Sequence, residues 1–286
     1  MNWKQVVLRL CVSALALGFL FYKIDVRDVF GVIGTLHWPI ALLFFILPLI
    51  NLFFSSINLA LFFYGANASV GVRELVCALI VSRSIGFFLP GRVGELSLGY
   101  LLRKKASYGV TTSIQAMDKL VTFVVLIGLS AYGFFRFFDT VTALKLLSIL
   151  IIVFIGIIGL LFLPAVRLFV RTRILKNYAH LFEGFGTTIR MLVRRFDLVA
   201  LNFILTLALW LSTAYVLKII FGSFGFTVSL LVVAAIHSIG MFSSFIPVSI
   251  AGIGVRESIV VYLYTIAGID AVVSTGVYLI VLFFSY

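Results

Sequence analysis

The run WPIALLFFILPLINLFFSSINLALFF, from Trp38 to Phe63, holds 26 residues without one charge. It exceeds the ~20 apolar residues that carry an α-helix across a bilayer. It is one of several. Apolar spans fall at about residues 5–22, 38–63, 112–135, 142–163, 198–220 and 271–286. Only 11% of the residues are charged and 63% are hydrophobic, far from the balance of a soluble domain. The expected fold class is therefore an all-α polytopic membrane protein with about six spanning helices.

Two further segments, about 74–103 and 229–268, are too long for one helix and are broken by Pro and Gly. Each reads as a re-entrant helical hairpin, a form allowed only where protein or water covers the broken backbone. The segments also share a motif: SIGFFLPGRVGEL begins at Ser84, and SIGMFSSFIPVSIAGIGVRESI begins at Ser238. The chain thus divides into residues 1–140 and 141–286, each reading helix, helix, hairpin, helix, as an inverted-topology repeat within one transmembrane domain.

Charge fixes the expected orientation. The formal net charge is +12. The most basic connector, 164–197, carries Arg167, Arg171, Arg173, Lys176, Arg190, Arg194 and Arg195 against Glu183 and Asp197. It should be cytoplasmic, as should Arg103 to Lys105 and the N-terminus with Lys4 and Arg9. Lys23 to Asp28 balances and suits the outside. One crossing per span then places both termini in the cytoplasm of a plasma-membrane protein, with an uncleaved first helix. Arginines interleaved with apolar residues in 164–197 suit amphipathic helices on the inner membrane surface, either as an ordinary positively charged connector or as an attractor of anionic lipid. The same basic excess needs no nucleic-acid partner.

Charges inside the hairpins are expensive. A central Arg or Asp costs roughly 2.5–3.5 kcal/mol on the insertion scale, so Arg83, Arg92, Glu95, Arg256 and Glu257 would cost on the order of 10 kcal/mol unpaired. Arg92 and Glu95 are three apart and share a helix face. Arg256 and Glu257 are adjacent, point differently, and are expected to find partners on other helices. Two half-helix N-termini, each with an arginine, could face one polar cavity and hold a phosphate; the alternative is that the ions only cap and staple the hairpins. Gly91, Gly94, Gly252 and Gly254 would let backbone come close to a headgroup. His237 stands in the second motif where Arg83 stands in the first, which suits a cavity role for both; the alternative for a lone His is a structural hydrogen bond. Asp118 and Lys119 lie two turns into a span, as an interfacial ion pair or as cavity lining. Asn51, Ser55, Ser56 and Asn58 form a polar stripe of the kind that joins helices.

The sequence carries no HExxH metal motif, GxSxG elbow, P-loop or cysteine cluster. Cys11 and Cys77 read as small hydrophobes. No cofactor, metal site or catalytic residue is expected.

LPGRVGELSLGYLLRK and IPVSIAGIGVRESI resemble the paired motifs of the flippase-like family named for the transmembrane region of lysylphosphatidylglycerol synthase, the multiple peptide resistance factor. The matching positions are Pro90, Arg92, Gly94 and Glu95, then Pro247, Gly252, Gly254, Arg256 and Glu257. Asp118-Lys119 resembles the acidic-basic pair usual in the span after the first hairpin. The resemblance implies movement of a phospholipid or polyprenyl-linked lipid between leaflets, with membrane lipids of anionic or zwitterionic headgroup as partners. The 286 residues contain no soluble aminoacyl-transferase domain, so lipid aminoacylation is not implied. A membrane-embedded transferase acting on a lipid carrier and a small-anion secondary transporter are the alternatives.

Overall fold

The computed structural model describes residues 3–35, 37–88, 97–162, 183–245 and 252–285. These form helices and no strand: α1 (Trp3–Lys23), α2 (Val26–Gly34), α3 (Trp38–Gly65), α4 (Val72–Phe88), α5 (Ser97–Leu101), α6 (Tyr108–Phe137), α7 (Thr140–Phe162), α8 (Phe185–Arg194), α9 (Phe196–Ser223), α10 (Leu230–Phe245), α11 (Val255–Ile266) and α12 (Ala271–Ser285). Four of them are long and apolar enough to cross a bilayer: α3, α6, Thr140–Gly159 of α7, and α9. Shorter apolar stretches run over Cys11–Tyr22, Leu230–Ser244 and Ala271–Phe283. The chain is a multi-pass helical membrane protein.

Local sequence sets the helix ends. Ser107 accepts from Val110 N–H at 3.3 Å and starts α6. Asp139 accepts from Thr142 N–H at 3.0 Å and starts α7. Asp270 accepts from Val272 and Val273 N–H at 2.8 and 3.2 Å and starts α12. Each satisfies backbone donors that a helix start leaves unpaired. The helices α3, α9 and α11 stop alike. Asn67, Gly225 and Gly268 take positive φ, and the next residue's N–H donates back five residues, to Phe63, Phe221 and Tyr264. That is the hydrogen bond that closes a Schellman turn.

The helix α2 is absent from the sequence reading, which left 23–37 as a connector. Asp25 caps it by accepting from Arg27 N–H at 2.8 Å. Its buried Val29 packs with Leu20, Ile24 and Val261, and α2 lies against α12, with Val32 and Ile33 at Gly276.

The central pair is α3 and α9, which run antiparallel: Asn58 meets Thr206 and Gly65 meets Leu198. Around them the apolar core gathers in two main clusters. One joins the last half of α3 to α4, α5, the first half of α6 and α8, through Phe62, Phe63, Leu75, Leu98, Ile114 and Leu192. The other joins the first half of α3 to the last half of α9 and to α10, α11 and α12, through Phe44, Phe221, Val233, Val260, Tyr264 and Val277. The clusters sit at opposite ends of the α3–α9 pair.

The arms α10 and α11 are antiparallel neighbours. A Cβ on Gly240 would overlap Val260 Cγ2, and one on Gly252 would lie 2.6 Å from Ser244 Oγ. In the first half, Lys105 Nζ lies 3.3 Å from Glu74 Oε1, so the chain after α5 returns to the start of α4. The helix α6 packs along α10, where a Cβ on Gly133 would meet Ile239 and Ala235.

Candidate functional site

The start of α11 holds the most developed polar site among the described residues. Gly252 and Gly254 both take φ near +84°, a conformation that side chains avoid, and they turn the chain into the first turn of α11. Glu257, three residues on, accepts from Gly254 N–H at 2.8 Å through Oε2. Its other oxygen, Oε1, accepts from Arg256 Nε at 2.9 Å. The two side chains are only 6% and 1% exposed, so this is an ion pair inside the protein.

That corrects one expectation. Arg256 and Glu257 pair with each other despite being adjacent, because the long arginine folds back while the glutamate reaches to the helix start. Glu257 therefore both caps α11 and fixes the plane of the guanidinium. The glycines differ from expectation too, since the space beside them is filled by protein. A Cβ on Gly252 would stand 2.8 Å from Ser244 Cα, and one on Gly254 would stand 2.8 Å from Ala16 Cβ and from Ser13 O on α1. They permit close helix contact at the turn.

Next to the ion pair lies a chain of buried and half-buried rings. His237 Nδ1 is 3.1 Å from Tyr278 Oη, which is 3.5 Å from Tyr264 Oη. Trp210 packs on His237 with ring centroids 5.4 Å apart, and Phe221 packs on Tyr264 at 4.6 Å. The helices α9 to α12 all contribute. Arg256 is within electrostatic reach of His237.

A second polar group crosses α3, α6 and α9. Asn58 Nδ2 donates to Thr206 Oγ1 at 3.1 Å. Asn202 Nδ2 donates to Asn58 O and to Asp118 Oδ1, both at 3.3 Å. Asp118 is thus tied to α9, while its neighbour Lys119 is half-buried on α6. The group also realises the helix-joining role read for Asn58.

Arg83 and His237, matched by motif, have different surroundings. Arg83 is exposed and donates to Ser55 Oγ on α3 at 2.7 Å, whereas His237 is half-buried against Tyr278 and Trp210. The backbone explains part of this: α4 and α10 begin 158 residues apart, but the shared motifs are 154 apart. The motif has slipped by about one helical turn.

Pro90, Gly91, Arg92, Gly94 and Glu95 lie outside the described residues, as do Pro247 and 163–182 of the basic connector. Among the described residues no three His, Cys, Asp or Glu side chains gather as metal ligands. At the ends of the bundle, Glu74 is held below the usual carboxylate range by Gly71 N–H and then by Lys105. Asp139 is lowered by its bonds to Thr142.

Reading by residue type missed Asn202, Thr206, Trp210, Tyr264 and Tyr278. The Asn202/Thr206 pair, four apart in an apolar span, was a usable signal of a polar helix contact. The tyrosines carried none, being ordinary aromatic residues of apolar helices.

An all-helical multi-pass membrane protein with a buried ion pair and buried hydrogen-bond groups among its helices is the class these features define. The chain belongs to the lysylphosphatidylglycerol synthase TM region family, whose model matches residues 6–286. No curated protein matches it.

Proposed function

We propose that this protein is a flippase-like transporter that moves a phospholipid or polyprenyl-linked lipid between leaflets by its headgroup. The observation that carries the proposal is the Arg256–Glu257 pair, buried at a broken helix start in a member of a membrane lipid-related family. A buried ion pair seldom adds stability over apolar packing of similar volume. A guanidinium set by a carboxylate beside a helix N-terminus suits a phosphate.

Arg92 and Glu95 in the first hairpin would complete the site from the other half. Asp118, Lys119, Arg83 and His237 would line the path, and Gly91, Gly94, Gly252 and Gly254 would shape the turns. Two inverted halves, 1–140 and 141–286, would rock against each other to expose the site alternately. Several features support that division. The helices α3 and α9 are each 28 residues long, and six residues connect each to the next helix. Asn67 and Gly225, 158 apart, turn the chain at the same point of each connector. The two core clusters lie at opposite ends of the α3–α9 pair. The Glu74–Lys105 contact suits a first hairpin that enters and leaves from one side, the cytoplasm by charge. The termini would then also be cytoplasmic, in the plasma membrane.

The test is translocation in proteoliposomes, with tail-labelled lipids of several headgroups and a membrane-impermeant quencher. Headgroup-selective flipping by wild type, lost in folded Arg92→Ala and Glu95→Gln, is the expected result. Variants as active as wild type would overturn the site. Turnover of a donor substrate in detergent, where no leaflets exist, would overturn transport in favour of a transferase.

A further inference from the structure

The helix α8 lies outside the proposed transport path. Its inner stripe, Thr188, Ile189 and Leu192, is buried. Its outer stripe lines an open cleft of about 480 Å³ with Thr187, Arg190, Met191, Arg194 and Arg195. Spacings of three and four residues put Thr187, Arg190, Met191 and Arg194 on one face. Three guanidinium groups therefore surround one concavity, and no acid lines it among the described residues.

Two of the arginines are held in place. Arg195 donates to Asp197 through Nε at 3.1 Å and Nη2 at 2.9 Å, and Arg190 Nε donates to Gly186 O at 3.1 Å. Arg194 makes no ion pair among the described residues. Apolar side chains stand directly beside this charge, with Val193 exposed and Phe196 77% exposed. Guanidinium groups next to exposed apolar side chains suit the headgroup boundary of a bilayer, where charge meets phosphate and apolar groups meet acyl chains. The position agrees: Leu192 and Leu198 pack on Gly65 at the end of α3, and Ser113 near the start of α6 donates to Phe185 O at 2.9 Å. The cleft thus sits where the long helices begin and end.

We propose that this cleft is a binding site for the phosphate of an anionic phospholipid, held by Arg190, Arg194 and Arg195 with its acyl chains along Val193 and Phe196. Charge complementarity selects an anionic lipid over a zwitterionic one, and guanidinium forks suit phosphate oxygens. The site uses none of the residues assigned to transport, so it stands or falls separately from the transport reading.

The experiment is lipid titration of the delipidated full-length chain in detergent, with phosphatidylglycerol against phosphatidylcholine. The readouts are native mass spectrometry and thermal shift. Wild type should retain phosphatidylglycerol preferentially. Arg190→Ala/Arg194→Ala should bind it about tenfold more weakly, equivalent to ~1.4 kcal/mol, with its lipid-free melting temperature unchanged because both side chains are exposed. Lys218→Ala, which removes an exposed cation near the other end of α9, should bind it as wild type does. Phe196→Ser should weaken phosphatidylglycerol binding several-fold without loss of fold. Equal binding of the two lipids, or an arginine double variant that binds like wild type, would overturn the proposal. Displacement of the lipid by inorganic phosphate at matching concentration would overturn it in favour of a soluble phosphate.

Discussion

Gly254→Ala is a sharp test of how the start of α11 packs on α1, because two separate costs converge there. The backbone has φ +84° and ψ −50°, a region that L-residues occupy only under strain of about 1–3 kcal/mol. The new Cβ would also stand 2.8 Å from Ser13 O and 3.2 Å from Leu17 N, both backbone atoms of α1. Neither can swing aside as a flexible side chain could, so overpacking of about 1–3 kcal/mol is added. The sum is about 2–6 kcal/mol, on the order of 5–15 °C in melting temperature for a domain of this size. Gly268→Ala is the control. Its φ is +87°, yet nothing lies within 4 Å of the position, so it carries the backbone cost alone. Melting in detergent, followed by tryptophan fluorescence, measures both. The melting temperature of Gly254→Ala should fall well below that of Gly268→Ala. Removing the third contact with Ala16→Gly should restore only part of the difference, because the α1 backbone remains. Equal melting of the two glycine variants would refute the packing of α1 on the hairpin turn.

Other expectations follow from the buried polar groups and the caps. Glu257→Gln leaves the Arg256 charge buried without its carboxylate and should cost about 3–5 kcal/mol, seen as a lower denaturation midpoint. Replacing both residues, Arg256→Met with Glu257→Leu, should recover much of that stability while lipid flipping stays absent; recovered flipping would make the pair structural. Asn202→Leu should lower stability by about 1–3 kcal/mol, since Asn58 O and Asp118 lose a donor in the interior. A double-mutant cycle of Asn202 with Asp118 should show coupling of about 0.6 kcal/mol or more. Asp139, whose carboxyl is lowered by its bonds to Thr142, stabilises the folded state above its unfolded value, and that contribution is lost as pH falls through the lowered folded value. Asp139→Asn should therefore lower the melting temperature at neutral pH and flatten the acid limb of the profile, with the two proteins converging at low pH.

Much of the membrane architecture was legible because burial in lipid writes itself into composition. Trp38 to Phe63 had to span something apolar, and α3 covers that run. The apolar helices that flank the interruptions were legible too, since α4 and α10 are helical over Val72–Phe88 and Leu230–Phe245. Side-chain direction was not legible. Adjacent charges on a helix project about 100° apart, so Arg256 and Glu257 were expected to part. The reach of a folded-back arginine and the pull of Gly254 N–H decided otherwise. The helix α2 was hidden for a related reason: nine residues fall short of a span, and only tertiary contact with α1, α11 and α12 gives Val29 a core to enter.

The arrangement divides labour between depth and ends. Apolar residues such as Phe62, Ile114, Phe221 and Val260 close the two ends of the α3–α9 pair. Polar side chains concentrate between, where Asn58, Asn202, Thr206 and Asp118 tie three helices together. Those bonds are neutral or singly charged and explain themselves as helix contacts. The Arg256–Glu257 pair does not reduce to that role. A serine or aspartate at position 254 could not replace the cap, because φ +84° and the contact with α1 demand glycine there. A carboxylate three residues on is therefore the local means of capping α11. Nothing in capping requires an arginine beside it, and an apolar residue at 256 would avoid the desolvation of a second charge. The arginine is the part of the site that stability leaves unexplained, and so it is the residue on which a phosphate-binding role rests.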